Sequence, residues 1–216
     1  MFVPATLEQY ALALTPNEAS AADLPPLTGG EGAVFDVRSA MLNVLDGHPA
    51  IVAGTLDGVH ASQALADRVV TLQTLGRHGW SPVVSATTGA GGGFRLRYVP
   101  SQTGSRRVRL RFAGDNEDPG ARRSLGAINV YRLAGASWYG GGGGLACGGS
   151  LTSSTLGVAN KTLPCGTLVT LRYGDRTVRV PVVDRGPYVA GREFDLTEAT
   201  KQALGFGSTG DVWSTR

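Results

Sequence analysis

The chain has 216 residues, 42% of them hydrophobic and 17% charged, which is enough apolar material for packed cores and too much for a disordered polymer. Glycine supplies 32 of the 216, roughly twice ordinary usage, which argues against a helical bundle and for turn-rich β structure. Twenty Lys+Arg against seventeen Asp+Glu leave +3, too little charge to call for a nucleic-acid partner, and no apolar run is long enough to span a membrane.

Residues 1–30 are rich in Ala, Pro and Thr, end in Pro25-Pro26-Leu27-Thr28-Gly29-Gly30, and read as a disordered or leader segment. Residues 1–20 carry neither the basic start nor the continuous apolar core of an export signal.

Residues 31–133 read as all-β. Short runs with turn signals between them recur at Ala33–Arg38, Ala50–Gly54, Arg68–Leu75, Pro82–Thr87, Phe94–Val99, Arg106–Phe112 and Leu125–Arg132. Phe94, Leu96 and Tyr98 share one face of their run and Arg95 and Arg97 the other. Val108, Leu110 and Phe112 oppose Arg107, Arg109 and Arg111 in the same way. Period 2 with one polar face marks half-buried antiparallel strands, and seven of them in this span predict an immunoglobulin-like β-sandwich. Gly89–Gly93 reads as the loop of a hairpin. Between Arg95 and Arg123, eight Arg face only Asp115, Glu117 and Asp118. This stripe is either a solvated strand face or a basic face that docks on an anionic polymer.

Residues 136–216 form a second unit, with the boundary at Leu133-Ala134-Gly135. Strands are expected at Ala136–Tyr139, Gly157–Asn160, Thr167–Tyr173, Thr177–Val183, Glu193–Asp195 and Asp211–Ser214. One short helix is expected at Thr197–Leu204, started by a capping box of Asp195 and Glu198 and stopped by Gly205. Six short strands around one helix suit a small closed barrel.

Cys147 and Cys165 lie eighteen positions apart, outside any CxxC pair, and no His follows His78, so a zinc site lacks ligands. A disulfide is the better reading and two buried thiols the other. A bridge would place the protein in an oxidising, extracytoplasmic compartment.

Val178, Val180, Val182 and Asp184 share one parity. If the valines face a barrel interior, the Asp184 carboxyl stands at the strand end, partly desolvated, and a carboxyl kept neutral in this way can protonate a leaving oxygen. Alternatively it accepts bonds from the turn amides of Arg185 and Gly186. Asp195 is either a second carboxylate of the same site or the helix cap. Trp138, Tyr139 and Tyr188 are either glycan platforms or core. Gly140–Gly144 has no Lys-Ser/Thr after it and is no phosphate loop.

Four motifs occur in order: Ala136-Ser137-Trp138-Tyr139-Gly140, Gly157-Val158-Ala159-Asn160-Lys161-Thr162-Leu163-Pro164-Cys165-Gly166-Thr167, Val183-Asp184-Arg185-Gly186-Pro187-Tyr188, and Gly191-Arg192-Glu193-Phe194-Asp195-Leu196-Thr197. Together they resemble the rare lipoprotein A family in its Cys-containing form, relatives of the expansins and family 45 endoglucanases. The resemblance covers residues 136–216 and implies a six-stranded double-psi β-barrel. It also implies the Cys147–Cys165 bridge, an exported wall protein acting on peptidoglycan glycan strands, and lytic transglycosylation with no cofactor or metal. The family's catalytic Asp matches Asp184, and the second essential Asp of the expansin relatives matches Asp195. Trp138, Tyr139, Lys161, Arg185 and Tyr188 are the expected sugar contacts. Asn160 stands where members with demonstrated cleavage carry His, and Asn exchanges no proton near pH 7. The competing expectation is a non-catalytic, expansin-like glycan binder, and the chain is expected to be a monomer.

Overall fold

The computed structural model describes residues 32–58 and 63–216. The reading of residues 1–30 as a leader lies outside them. The chain divides into two compact units between Val130 and Tyr131.

The first unit carries β1 (Val34–Met41), β2 (Asn43–Leu45), β3 (Ala50–Asp57), β4 (Val69–Gly76), β5 (Gly79–Thr87), β6 (Gly93–Tyr98), β7 (Gly104–Phe112) and the first half of the long β8 (Ala121–Tyr139). Two antiparallel sheets result, β1-β3-β6 and β5-β4-β7-β8, with β2 beside β8. The alternation places Phe94, Leu96, Val108, Leu110 and Phe112 in one buried cluster with Phe35, Val52, Leu56 and Val70. Gly89–Gly93 is not a hairpin loop. β5 pairs with β4 and β6 pairs with β3, so the glycine-rich segment carries the chain from one sheet to the other. The local turn chemistry is the same in both cases. Which partner a strand takes depends on burying its apolar face, and sequence spacing does not encode that.

The second unit contains the end of β8 together with β9 (Gly143–Gly144), β10 (Ser150–Leu151), β11 (Val158–Ala159), β12 (Leu168–Tyr173), β13 (Arg176–Asp184), β14 (Phe194–Thr197), the helix α1 (Glu198–Leu204) and β15 (Thr209–Ser214). Six strands close a ring in the order β8-β14-β11-β13-β12-β15 and back to β8. β11–β13 and β14–β8 are parallel and the other pairs antiparallel. This is the expected closed barrel. Its interior is filled by Val158, Val169, Leu171, Val178, Val180, Val182, Phe194 and Leu196, each at most 1% exposed. Each contributes roughly 1.5–3 kcal/mol by leaving water. Part of the glycine run forms β9, which pairs with β10.

The helix ends as expected: Gly205 takes the left-handed conformation (φ 64°), where a side chain would be strained. Its start differs. Thr197 is the N-cap and accepts from the Thr200 amide, while Asp195 lies within β14. The strand pairing of Phe194–Thr197 with β8 holds Asp195 extended, so the cap falls two residues later. Among the described residues no helix is long and apolar enough to cross a membrane.

Candidate functional site

β13 delivers Asp184 to the site by parity. Val178, Val180 and Val182 are buried, and Asp184 follows in phase at the strand end, half-buried. Ala159 on β11 is the register partner of Asp184 on one side and of Asp195 on the other. The two carboxylates therefore flank one alanine across adjacent strands, with backbones about 10 Å apart, twice the strand spacing. The β11–β13 register shifts between Val158 and Ala159, and the charges of both carboxylates reach one group, the Tyr139 hydroxyl. Tyr139, at the end of β8, completes the group. Burial raises the pKa of its hydroxyl, and the charges of Asp184 and then Asp195 raise it further. That hydroxyl is buried and has no hydrogen-bond partner of ordinary geometry.

Asp184 is held by two main-chain amides. Ala146 N–H and Arg185 N–H both donate to its Oδ1 at 2.8 Å. One of the two expected turn amides, Arg185, is thus present. The other donor comes from a segment 38 residues away. Gly186 takes φ 130°, which only glycine adopts without strain, and turns the chain directly after Asp184. The segment that carries Ala146 is tied down at Cys147. Cys147 N–H donates to Val183 O at 3.2 Å, and the Cys147–Cys165 disulfide joins it to the loop after β11. The expected bridge is therefore present, and it anchors the donor that holds Asp184.

Asp195 accepts a hydrogen bond from the Ser137 hydroxyl, and Arg192 Nη1 donates to Ser137 Oγ at 3.2 Å. Just upstream, Arg132 grips both oxygens of Glu193, and that bond holds the Arg132 guanidinium pKa up. Glu193 N–H also donates to Gly135 O at 2.8 Å. A side chain at Gly135 would collide with Gly191 O, so glycine is required where β8 passes this loop.

The other expected site residues are placed differently. Asn160 is 3% exposed, and its side chain is engaged on both ends. Oδ1 accepts from Thr162 N–H (3.0 Å) and Leu163 N–H (2.8 Å), and Nδ2 donates to Glu193 O (3.1 Å). Only its backbone meets Asp184, through Asn160 N–H to Asp184 O at 3.1 Å. Arg185 folds onto the same loop, donating to Asn160 O, Leu163 O and Cys165 Sγ at 2.8–3.0 Å. Lys161 is exposed. Trp138 and Tyr139 are consecutive in a strand and point to opposite faces, so only Tyr139 is on the side of the carboxylates. Trp138 has Lys201 Nζ 4.0 Å over its ring. Tyr188, 81% exposed, stands just past the Asp184 turn.

The structure thus brings together Tyr139, Asp184 and Asp195 and sets Asn160 and Arg185 to loop support. Ser137, Arg192 and the Ala146 amide were not singled out from the sequence. The parallel register of β14 with β8, which pairs Ser137 with Asp195, is the signal that finds Ser137. Chemically, the site offers a carboxylate held by amides, a second carboxylate bonded to a hydroxyl, and a neutral phenol on which the charges of both act. Among the described residues no three His, Cys, Asp or Glu side chains converge to hold a metal ion.

A family model described as a lytic transglycolase, of the double-psi β-barrel type, matches residues 133–213. A probable endolytic peptidoglycan transglycosylase RlpA of Aquifex aeolicus is 44% identical over 75 residues, covering 32% of this chain and 33% of that protein. The corresponding protein of a Synechocystis strain is 39% identical over 92 residues, 39% of this chain and 28% of its own length. An endolytic peptidoglycan transglycosylase RlpA of Rickettsia bellii is 36% identical over 83 residues, 35% and 37% of the two chains. The chain thus spans about a third of the length of the curated relatives it matches. Among solved structures, a Streptomyces papain inhibitor aligns at 26% identity over 38% of this chain and 91% of its own, with a TM-score of 0.32.

Proposed function

Because residues 133–213 form an RlpA-like double-psi β-barrel, we propose that this is an exported wall protein whose barrel cuts peptidoglycan glycan strands as a lytic transglycosylase. The observation that carries the reading is the placement of Asp184, in phase with the barrel valines, amide-held on one oxygen, and flanking Ala159 opposite Asp195.

In this mechanism the Asp184 carboxyl gives its proton to the glycosidic oxygen as the bond to the anomeric carbon breaks. The sugar's own 6-hydroxyl then closes on that carbon and returns a proton to the Asp184 carboxylate. A 1,6-anhydro end forms, no water is consumed, and one acid/base group serves both steps. Asp195 and the neutral Tyr139 hydroxyl stabilise the positive charge that builds on the ring and orient the sugar, and the exposed Tyr188 ring offers an apolar face to a neighbouring residue. For the first unit, the strand orders β1-β3-β6 and β5-β4-β7-β8 over one shared core support an immunoglobulin-like sandwich.

A second reading, a non-catalytic expansin-like binder, is favoured by Asn160. Its amide is buried and bonded within the loop at both its oxygen and its nitrogen, and it holds no titrating group. Incubation of peptide-stripped glycan in ¹⁸O-water separates the possibilities. Anhydro products without ¹⁸O support lytic cleavage, and incorporation of ¹⁸O means hydrolysis. Retention on glycan with no product at any pH means a binder.

A further inference from the structure

We propose that the outward face of the β5-β4-β7-β8 sheet in the first unit is a docking surface for a polyanionic wall polymer linked by phosphodiesters. The register lays the face out in rows. Ser85, Thr71, Arg111 and Arg122 stand side by side across the four strands, and Pro82, Gln73, Arg109 and Ser124 form the next row. Arg107 continues the line on β7. Like charges directly opposed on neighbouring strands destabilise a sheet, yet Arg111 and Arg122 are opposed, and Arg109 lies one same-face step, about 7 Å, along β7.

Nothing within the sheet offsets this charge. β4, β5, β7 and residues 121–130 hold six Arg and no Asp or Glu. The nearby acids Asp115, Glu117 and Asp118 are engaged by Arg68. Arg109 is also held in place. Its Nε donates to the buried Gln73 Oε1 at 2.8 Å, and its guanidinium lies 4.2 Å over the Trp80 ring, so the two terminal nitrogens are left for a ligand. Burial and the charges of Arg122 and Arg111 lower its pKa, which is the repulsion an anion would relieve.

Guanidinium forks pair with phosphate oxygens two at a time. Cations about 5 Å apart across strands and about 7 Å apart along one suit anions repeated on an extended polymer, not a single compact ion. A nucleic acid presents similar spacing. The Cys147–Cys165 disulfide belongs to an oxidising compartment, which favours a wall polymer, and to that extent the choice of partner rests on the wall reading above.

The test is binding of purified lipid-free poly(glycerol phosphate) to the full chain at a series of salt concentrations. With four arginines on phosphates, the logarithm of affinity is expected to fall against the logarithm of salt with a slope of about −3, at about −0.7 per contact on a single strand. The triple variant Arg109→Gln/Arg111→Gln/Arg122→Gln is expected to lose at least about tenfold in affinity at low salt and to flatten the slope by about 2. Arg95→Gln/Arg97→Gln, on the other sheet, is expected to bind as wild type. Arg122→Gln alone relieves the opposed pair and is expected to hold or raise the melting temperature while weakening binding, so lost affinity is separated from lost fold.

No binding at low salt, an unchanged triple variant, or an equal loss in the Arg95/Arg97 variant overturns the proposal. Tighter binding of single-stranded DNA at equal phosphate concentration overturns it in favour of a nucleic acid. The assay contains no peptidoglycan, so its failure is distinct from failure of the cleavage reading.

Discussion

Replacing Asp184 by Asn and by Ala separates a catalytic carboxyl from one that only shapes its turn. Oδ1 of Asp184 accepts two amide bonds at 2.8 Å, from Ala146 and Arg185. Bonds to a charged acceptor contribute about 1.5–3 kcal/mol each and neutral ones about 0.5–1.5. The Asn side chain keeps an oxygen at the same place but loses the charge, so Asp184→Asn is expected to cost about 2–3 kcal/mol of stability. Asp184→Ala removes the acceptor from both amides and is expected to cost about 3–6 kcal/mol. Neither replacement transfers a proton, so as an acid/base Asp184 predicts the same loss for both variants, about 10²–10⁴-fold. That equals about 3–5 kcal/mol of barrier, more than Asn costs the fold. The assay is release of anhydro ends from peptide-stripped glycan, run beside thermal melting of each variant. If Asp184→Asn keeps more than about a tenth of wild-type activity while Asp184→Ala loses it in step with its melting temperature, the carboxyl holds a turn and the mechanism is wrong.

Reduction and alkylation of Cys147–Cys165, whose closed loop spans a sequence separation of 18, is expected to cost about 3 kcal/mol by loop entropy. It is also expected to lower activity more than stability at 25 °C, because the Ala146 donor is freed; denaturant titration beside the product assay checks both. Asn160→Ala removes the acceptor of the Thr162 and Leu163 amides and the donor to Glu193 O, and is expected to lose about 2–4 kcal/mol, measured by the denaturation midpoint, where a sugar-contacting Asn would lose glycan retention at unchanged stability. Tyr131 is fully buried and its pKa is pushed from 10.0 to about 12, chiefly by burial. The unfolded chain therefore releases this proton first, and stability is expected to be intact below pH 10 and to fall by about 3 kcal/mol as pH rises from 10 to 12. Absorbance at 295 nm is expected to show Tyr131 and Tyr139 ionising only together with unfolding; ionisation of all tyrosines near pH 10 in the folded protein would refute the burial argument.

Much of this protein is decided locally and could be read from the chain. Alternation over Phe94–Tyr98 in β6 and over Val108–Phe112 in β7 assigned the right faces, because side-chain direction in a strand depends only on parity. The same rule put Asp184 in phase with Val178, Val180 and Val182. Gly205 ends its helix because the left-handed turn there is a property of one residue. With only two cysteines, the bridge had one possible pairing.

What was not legible depends on partners distant in the chain. The Gly89–Gly93 segment looks like a hairpin loop until β5 and β6 are seen to pair with different strands. Asp195 and Thr197 are both good helix caps in isolation, and the pairing of β14 with β8 chooses Thr197 and leaves Asp195 beside Ser137. Asn160 and Arg185 lie in motifs that invite a catalytic and a sugar-binding role respectively, but the Glu193 carbonyl and the Cys165 loop occupy them. The sequence by itself determined which residues face inward and where turns are forced, since both follow from the geometry of a few consecutive residues. Only the tertiary structure decided that Asp184 and Asp195 flank Ala159 under Tyr139, because closing the barrel brings together strands whose register no local pattern specifies.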